Sequence, residues 1–157
     1  MYHSSILINH VGYDISQSEK QSKANRNIEL LLSDYNENKS PYIAYKIAQT
    51  YFLLEKYEDA ESYFKIAIES NDLPQDLKSD CFLYLAQKSL LSYDYDNAHK
   101  YIDKAIELNP RQPIYFLFTS RLYYRQQNIY KAKLYAQKAL DANKYVNKNE
   151  KMNYQTI

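Results

Sequence analysis

The chain has 157 residues, room for one domain with a continuous core and none for a separate catalytic domain beside it. Its 20 lysines and arginines nearly balance 19 aspartates and glutamates, so a net charge of +1 exerts no long-range pull on phosphate backbones or anionic membranes, and nucleic acid is excluded as a partner class. One glycine, Gly12, is too few for a phosphate-cradling loop or a strained nucleophile turn, and one cysteine, Cys81, excludes an internal disulfide and a Cys-based zinc site.

Cysteine usage fits a reducing compartment, which makes the cytoplasm the expected location. No apolar stretch approaches the roughly 20 residues that cross a bilayer, so no membrane span is expected. At the N-terminus, Ser5-Ile6-Leu7-Ile8-Asn9-His10-Val11-Gly12-Tyr13 is short, apolar and β-prone, with nothing evident in the chain to pair with it. Next, Ala24, Ile28, Leu31, Leu32 and Tyr35 share one face at helical spacing behind the capping box Ser16-Gln17-Ser18-Glu19, predicting a helix over about 17–35 that caps the helices downstream of it. Six more helices are expected at about 41–54, 57–70, 75–91, 95–108, 113–126 and 129–142. Ser40-Pro41 starts the first of these, and Asn109-Pro110 stops the fourth. The remainder, from Asn143 to Ile157, is polar.

A motif recurs through these six helices. Ala48, Ala86 and Ser120 are the small residues of the first helix in each pair; Ala60, Ala98 and Ala132 occupy the second; Ala67, Ala105 and Ala139 face the next pair. Ala98 and Ala132 stand one period of about 34 residues apart, and the interval from Ala60 to Ala98 is about four longer, the excess falling in the turn-rich Asn71 to Asp76. Helices cross closely only where small side chains let the backbones approach, and Tyr51, Phe64 and Tyr123 then fill the gaps between layers. This pattern resembles the tetratricopeptide family over residues 41–144. The resemblance implies an all-α fold, a right-handed superhelix of about three helical hairpins with an N-terminal capping helix. On this reading the chain divides into a strand-like segment at 1–14, a capping helix at 15–36, three hairpins within 37–144 (41–70, 75–108 and 113–142) and a tail at 145–157.

The resemblance also implies a ligand surface, since helix A of each hairpin lines the concave groove in that family. Its outward positions are Tyr42, Tyr45, Gln49 and Phe52, then Asp80, Leu83, Gln87 and Leu90, then Ile114, Leu117, Arg121, Tyr124 and Arg125. The function implied is a protein–protein interaction or scaffolding module, not an enzyme, needing no cofactor and binding a protein or peptide partner. Members of the family that clamp a peptide carboxylate carry Lys, Asn and Arg at set positions. Here those positions hold Tyr45, Gln49, Gln87, Leu117 and Arg121, of which Arg121 alone matches.

A second resemblance lies upstream. Ile8-Asn9-His10-Val11-Gly12-Tyr13 followed by Lys23-Ala24-Asn25-Arg26-Asn27-Ile28-Glu29-Leu30-Leu31 looks like the junction between the GT-A domain and the tetratricopeptide region of bacterial family 2 glycosyltransferases. It implies the C-terminal accessory region of such an enzyme, inactive alone, that positions an acceptor protein or glycan or mediates oligomerisation. His10 would then be the metal-holding residue, in concert with carboxylates from a preceding domain.

Other constellations dissolve on inspection. Asp94-Tyr95-Asp96 spells the Asp-x-Asp of metal-dependent glycosyltransferases, but it falls between helices A and B of the second pair, where Tyr95 belongs to the repeat core and Asp96 suits a helix start. His3, His10 and His99 are too scattered for a catalytic group, and Cys81 reads as inert packing. The 19 tyrosines are expected mainly in core and surface packing. A further reading is a homo-oligomer through the terminal hairpin, because nothing follows helix 129–142 to cover its outer face.

Overall fold

A computed structural model describes residues 17–154, with side chains described for residues 21–144. The described residues form seven helices: α1 (Gln17–Glu37), α2 (Pro41–Leu53), α3 (Tyr57–Glu69), α4 (Gln75–Leu91), α5 (Tyr95–Leu108), α6 (Pro113–Arg125) and α7 (Ile129–Tyr154). No strand occurs among the described residues. The β-prone segment 5–13, with His10, and the capping serine Ser16 lie outside them.

Helices α2 and α3, α4 and α5, and α6 and α7 pack as hairpins, and successive hairpins meet through α3 on α4 and α5 on α6. The small residues set the closeness of these crossings. Ala48, Ala86, Ala98, Ala67 and Ala105 are fully buried, and Ala60 and Ala132 nearly so. Ser120, the one departure from alanine in helix A, donates its hydroxyl to the Ala132 carbonyl of α7 at 2.7 Å, so the hydroxyl itself ties the two helices together.

Two core clusters arise from this stacking. Tyr45, Ala48, Ala60, Phe64 and Ala67 of the first hairpin enclose Cys81 and Leu85 of α4. Leu83, Ala86, Ala98, Ile102 and Ala105 of the second enclose Tyr115, Phe118 and Leu122 of α6. Helix α4 faces both clusters and buries residues around most of its circumference, as expected for a helix with neighbours on either side. Of the predicted gap fillers, Phe64 is buried and Tyr51 and Tyr123 are half-buried.

Local chemistry places the boundaries. Pro41 and Pro113 sit in the first turn of α2 and α6, where a missing N–H costs nothing. Ser40 takes the N-cap position of α2 without a side-chain cap bond. Each A-to-B turn is closed by one residue in the left-handed region: Glu55 at φ 60°, Tyr93 at 59° and Gln127 at 60°. The following amide then bonds back to the last turn of helix A, as Lys56 N–H does to the Tyr51 carbonyl at 2.9 Å. Helix α7 runs to Tyr154, twelve residues past the expected end at 142, because no proline or glycine follows Pro113 to stop it.

Helix α1 packs along α2, with Ala24 and Ile28 buried and Asn27 Nδ2 donating to Thr50 Oγ1 at 3.3 Å. None of the helices among the described residues is long and apolar enough to cross a membrane.

Candidate functional site

The predicted helix A positions separate into two groups. In the upstream half, polar side chains bind one another. Tyr45 is only 4 % exposed. Its hydroxyl donates to Asp80 at 3.4 Å and accepts from Gln49 Nε2 at 2.6 Å. Asp80 also accepts the Tyr115 hydroxyl at 3.2 Å, and Tyr115 lies 2.8 Å from the Ser79 hydroxyl. One carboxylate thus gathers hydroxyls from the first and third hairpins. Burial, the largest cause, and the nearby Asp80 charge push the Tyr45 phenol well above the usual tyrosine range, and burial takes Tyr115 up to about 12, so both stay protonated donors. Tyr45, Gln49 and Asp80 therefore hold repeats together, and of this half Tyr42 stands half-exposed.

The downstream half is open. A groove of about 250 Å³ lies across α2, α4 and α6, lined by Phe52, Gln87, Leu90, Leu91, Tyr93, Phe118, Arg121 and Arg125. Beside it, sharing Gln87, Phe118 and Arg121, a larger cavity of about 620 Å³ opens between α4, α6 and α7. Leu83, Ile114, Leu117 and Tyr124 line this second space from the helix A side, and Ile129, Ala132, Lys133 and Ala136 from α7. Leu117 and Tyr124 are 55 % and 66 % exposed, far more than a core role allows, while Leu83 is buried at its floor. Arg121, Arg125 and Lys133 have no ion-pair partner among the described residues. Sequence reasoning missed the α7 contribution because only helix A reads as ligand-facing in the repeat pattern. The available signal is Ala136, a small residue where the earlier repeats have Phe64 and Ile102.

The surface offers apolar contact, amide hydrogen bonds and guanidinium charge. Asp94 accepts the Asn97 side-chain amide at 2.7 Å and the Asn97 backbone N–H at 3.1 Å, so it caps α5, and these two bonds, the side-chain one foremost, draw its carboxyl below the usual range. Cys81 is fully buried, which raises its thiol to about 12 and keeps it unreactive at neutral pH. His99 lies 3.0 Å from the Gln126 amide oxygen and against the Tyr123 ring. Among the described residues, no group of three or more His, Cys, Asp or Glu side chains is arranged to hold a metal ion.

Residues 41–72 match the family model for the tetratricopeptide repeat. No curated protein matches the chain in sequence. Among solved structures, it is similar to one titled "Crystal structure of MamA", with a TM-score of 0.70 and 18 % identity over 84 % of this chain and 77 % of that one. Another, "MamA MSR-1 C2", gives a TM-score of 0.66 and 18 % identity over 81 % and 71 % of the two chains. At this identity the likeness is one of fold. The architecture is a helical-hairpin solenoid of tetratricopeptide type.

Proposed function

We propose that the chain is a non-catalytic interaction module that holds a protein or peptide segment across its helix A surface, in the downstream groove. The supporting observation is the pairing of apolar walls from Phe52 and Leu90 with Arg121 and Arg125, which have no ion-pair partner among the described residues, beside an upstream half engaged in inter-repeat bonds. Exposed arginine and aromatic side chains beside apolar depressions are the usual source of binding energy, about 2 kcal/mol or more at the strongest positions. Gln87, Arg121 and Arg125, which line the groove, are the contacts we assign to the ligand; Tyr45 and Gln49 are engaged in inter-repeat bonds beside it. The test is selection of displayed peptides against the full chain, followed by affinity measurement with Arg121→Ala and Arg125→Ala. We expect a loss of about tenfold or more from each. Unchanged affinity with both would remove the groove from consideration.

The sequence of residues 8–13 and 23–31 favours a second reading, an accessory region of a family 2 glycosyltransferase that positions an acceptor protein or glycan. The packing of α1 directly on α2 is compatible with it. His10 carries the metal role in that reading only with a catalytic domain ahead of it. The chain alone is then expected to show no hydrolysis or transfer of a sugar nucleotide, and detecting either would overturn this reading.

A further inference from the structure

The larger cavity shares part of its wall, in register, with the two junctions that hold the solenoid together. At the first junction Tyr45, Ala48, Ala60, Phe64 and Ala67 receive α4; at the second Leu83, Ala86, Ala98, Ile102 and Ala105 receive α6. The corresponding residues of the third hairpin are Leu117, Ser120, Ala132, Ala136 and Ala139. The first four of these line the 620 Å³ cavity. Along that register the first position goes from 4 % exposed in Tyr45 and 9 % in Leu83 to 55 % in Leu117. The cavity thus carries the register that receives a helix at the first two junctions, and no described helix fills it.

The incoming helices show what such a slot accepts. Cys81 and Tyr84 of α4 correspond to Tyr115 and Phe118 of α6, and Lys88 to Leu122. They are spaced i, i+3 and i+7, one face of a helix. At the first junction Tyr84 stacks on Phe64 with ring centroids 4.9 Å apart. The third slot has Ala136 in place of Phe64, and so has room for an aromatic ring at i+3.

Charge fixes the remaining feature. At the first junction Glu61 of α3 pairs with Lys88 of α4, the i+7 residue of the incoming helix, at 2.5 Å. The residue of α7 in the Glu61 register is Lys133, so the sign is reversed. Arg121 adds a second positive charge to the same rim.

We propose that this slot docks, in trans, an amphipathic helix of a protein partner that presents an apolar residue at i, an aromatic residue at i+3 and a carboxylate at i+7. The slot borders the helix A groove but does not depend on a ligand being held there.

The chain itself supplies a probe. Two synthetic peptides with the α4 sequence Gln75–Ser92, each stapled on its outward face to keep it helical, differ in one residue: one is unchanged and the other carries Lys88→Glu. Binding to the full chain is measured by fluorescence anisotropy at about 0.1 M salt. The Lys88→Glu peptide is expected to bind at least tenfold tighter than the unchanged one. That preference should reverse in the Lys133→Glu protein, and both peptides should be lost in Leu117→Arg, an exposed substitution that leaves the fold intact by circular dichroism. Arg125→Ala, which lies in the groove and not in the slot, should leave peptide binding unchanged, so that failure of the groove reading and failure of the slot are separable. Equal binding of the two peptides, no binding of either to the folded chain, or indifference to Leu117→Arg would overturn the proposal. So would sedimentation showing a dimer that Leu117→Arg dissociates, because the occupant would then be a second copy.

Discussion

Gln127 stands at φ 60° because the turn between α6 and α7 needs one left-handed residue to send the following amide back to the Tyr123 carbonyl at 2.9 Å. Glu55 and Tyr93 do the same in the first two hairpins. A side chain with a Cβ in that region costs about 1 kcal/mol that glycine does not incur. Gln127 is exposed and contributes little by way of packing. Gln127→Gly should therefore raise the melting temperature by about 1–3 °C, the gain from the relieved conformation being partly offset by the greater freedom of the unfolded chain. A lower melting temperature would mean that the side chain does something at this turn that its exposure conceals. Residue-level chemistry was readable in sequence where it is local. The alanines and the two N1 prolines act through size and a missing N–H, and both are properties of the residue itself. The roles of Tyr45 and Asp80 were not readable, because an outward position on a lone helix becomes an inward one once the next hairpin arrives.

Between elements, the contact of α3 with α4 is reinforced by an ionic cluster in which Lys88 meets Glu61 and Glu58, and Lys65 meets Glu61 at 2.6 Å. Hydrogen bonds from Lys65 and Lys88 hold the Glu61 carboxyl below its usual 4.5, while the bonds to Glu61 hold both ammonium groups above their usual 10.5. The depressed carboxyl contributes stability that is fully present above about pH 4.5 and is lost as pH falls through its lowered value. The raised lysines contribute stability that is complete below about pH 10.5 and is lost as pH climbs through theirs. For Glu61→Gln we expect a melting temperature about 2–4 °C below that of the parent chain at pH 7, corresponding to about 1 kcal/mol for a partly exposed cluster. The gap should close as pH falls below about 4.5 and through the lowered value of Glu61. A gap that persists in acid would assign the loss to packing. Element ends show the same division between local and distant causes. The start of α2 and the stop of α5 come from Pro41 and Asn109-Pro110, which act on the chain beside them. The end of α7 depends instead on the absence of any proline or glycine after Pro113, which is a property of the whole segment and not of one residue beside the end.

At the scale of the molecule, a solenoid is held by contacts between successive hairpins, so a residue's contribution depends on whether a neighbour exists to cover it. Tyr45, Leu83 and Leu117 provide a comparison within one chain, since they occupy one register and face the following hairpin. α4 covers Tyr45 and α6 covers Leu83, whereas Leu117 has no helix beyond it among the described residues. Truncating a side chain that is packed on all sides loses its transfer free energy and leaves a cavity, about 2–5 kcal/mol for leucine and more for a ring that also loses its hydroxyl bonds. Truncating an exposed one changes stability by about 0.5 kcal/mol or less. In urea denaturation of the full chain, Tyr45→Ala and Leu83→Ala should each cost at least about 2 kcal/mol, and Leu117→Ala should remain near the parent value. If Leu117→Ala were as damaging as Leu83→Ala, the third slot would already be filled in the free chain, and neither an open cavity nor a docking helix could be sustained. If Leu117→Ala is neutral for stability but weakens the stapled peptide, the same side chain is inert in the fold and active at the interface. That separation is what an uncovered repeat surface predicts, and an ordinary core position cannot produce it.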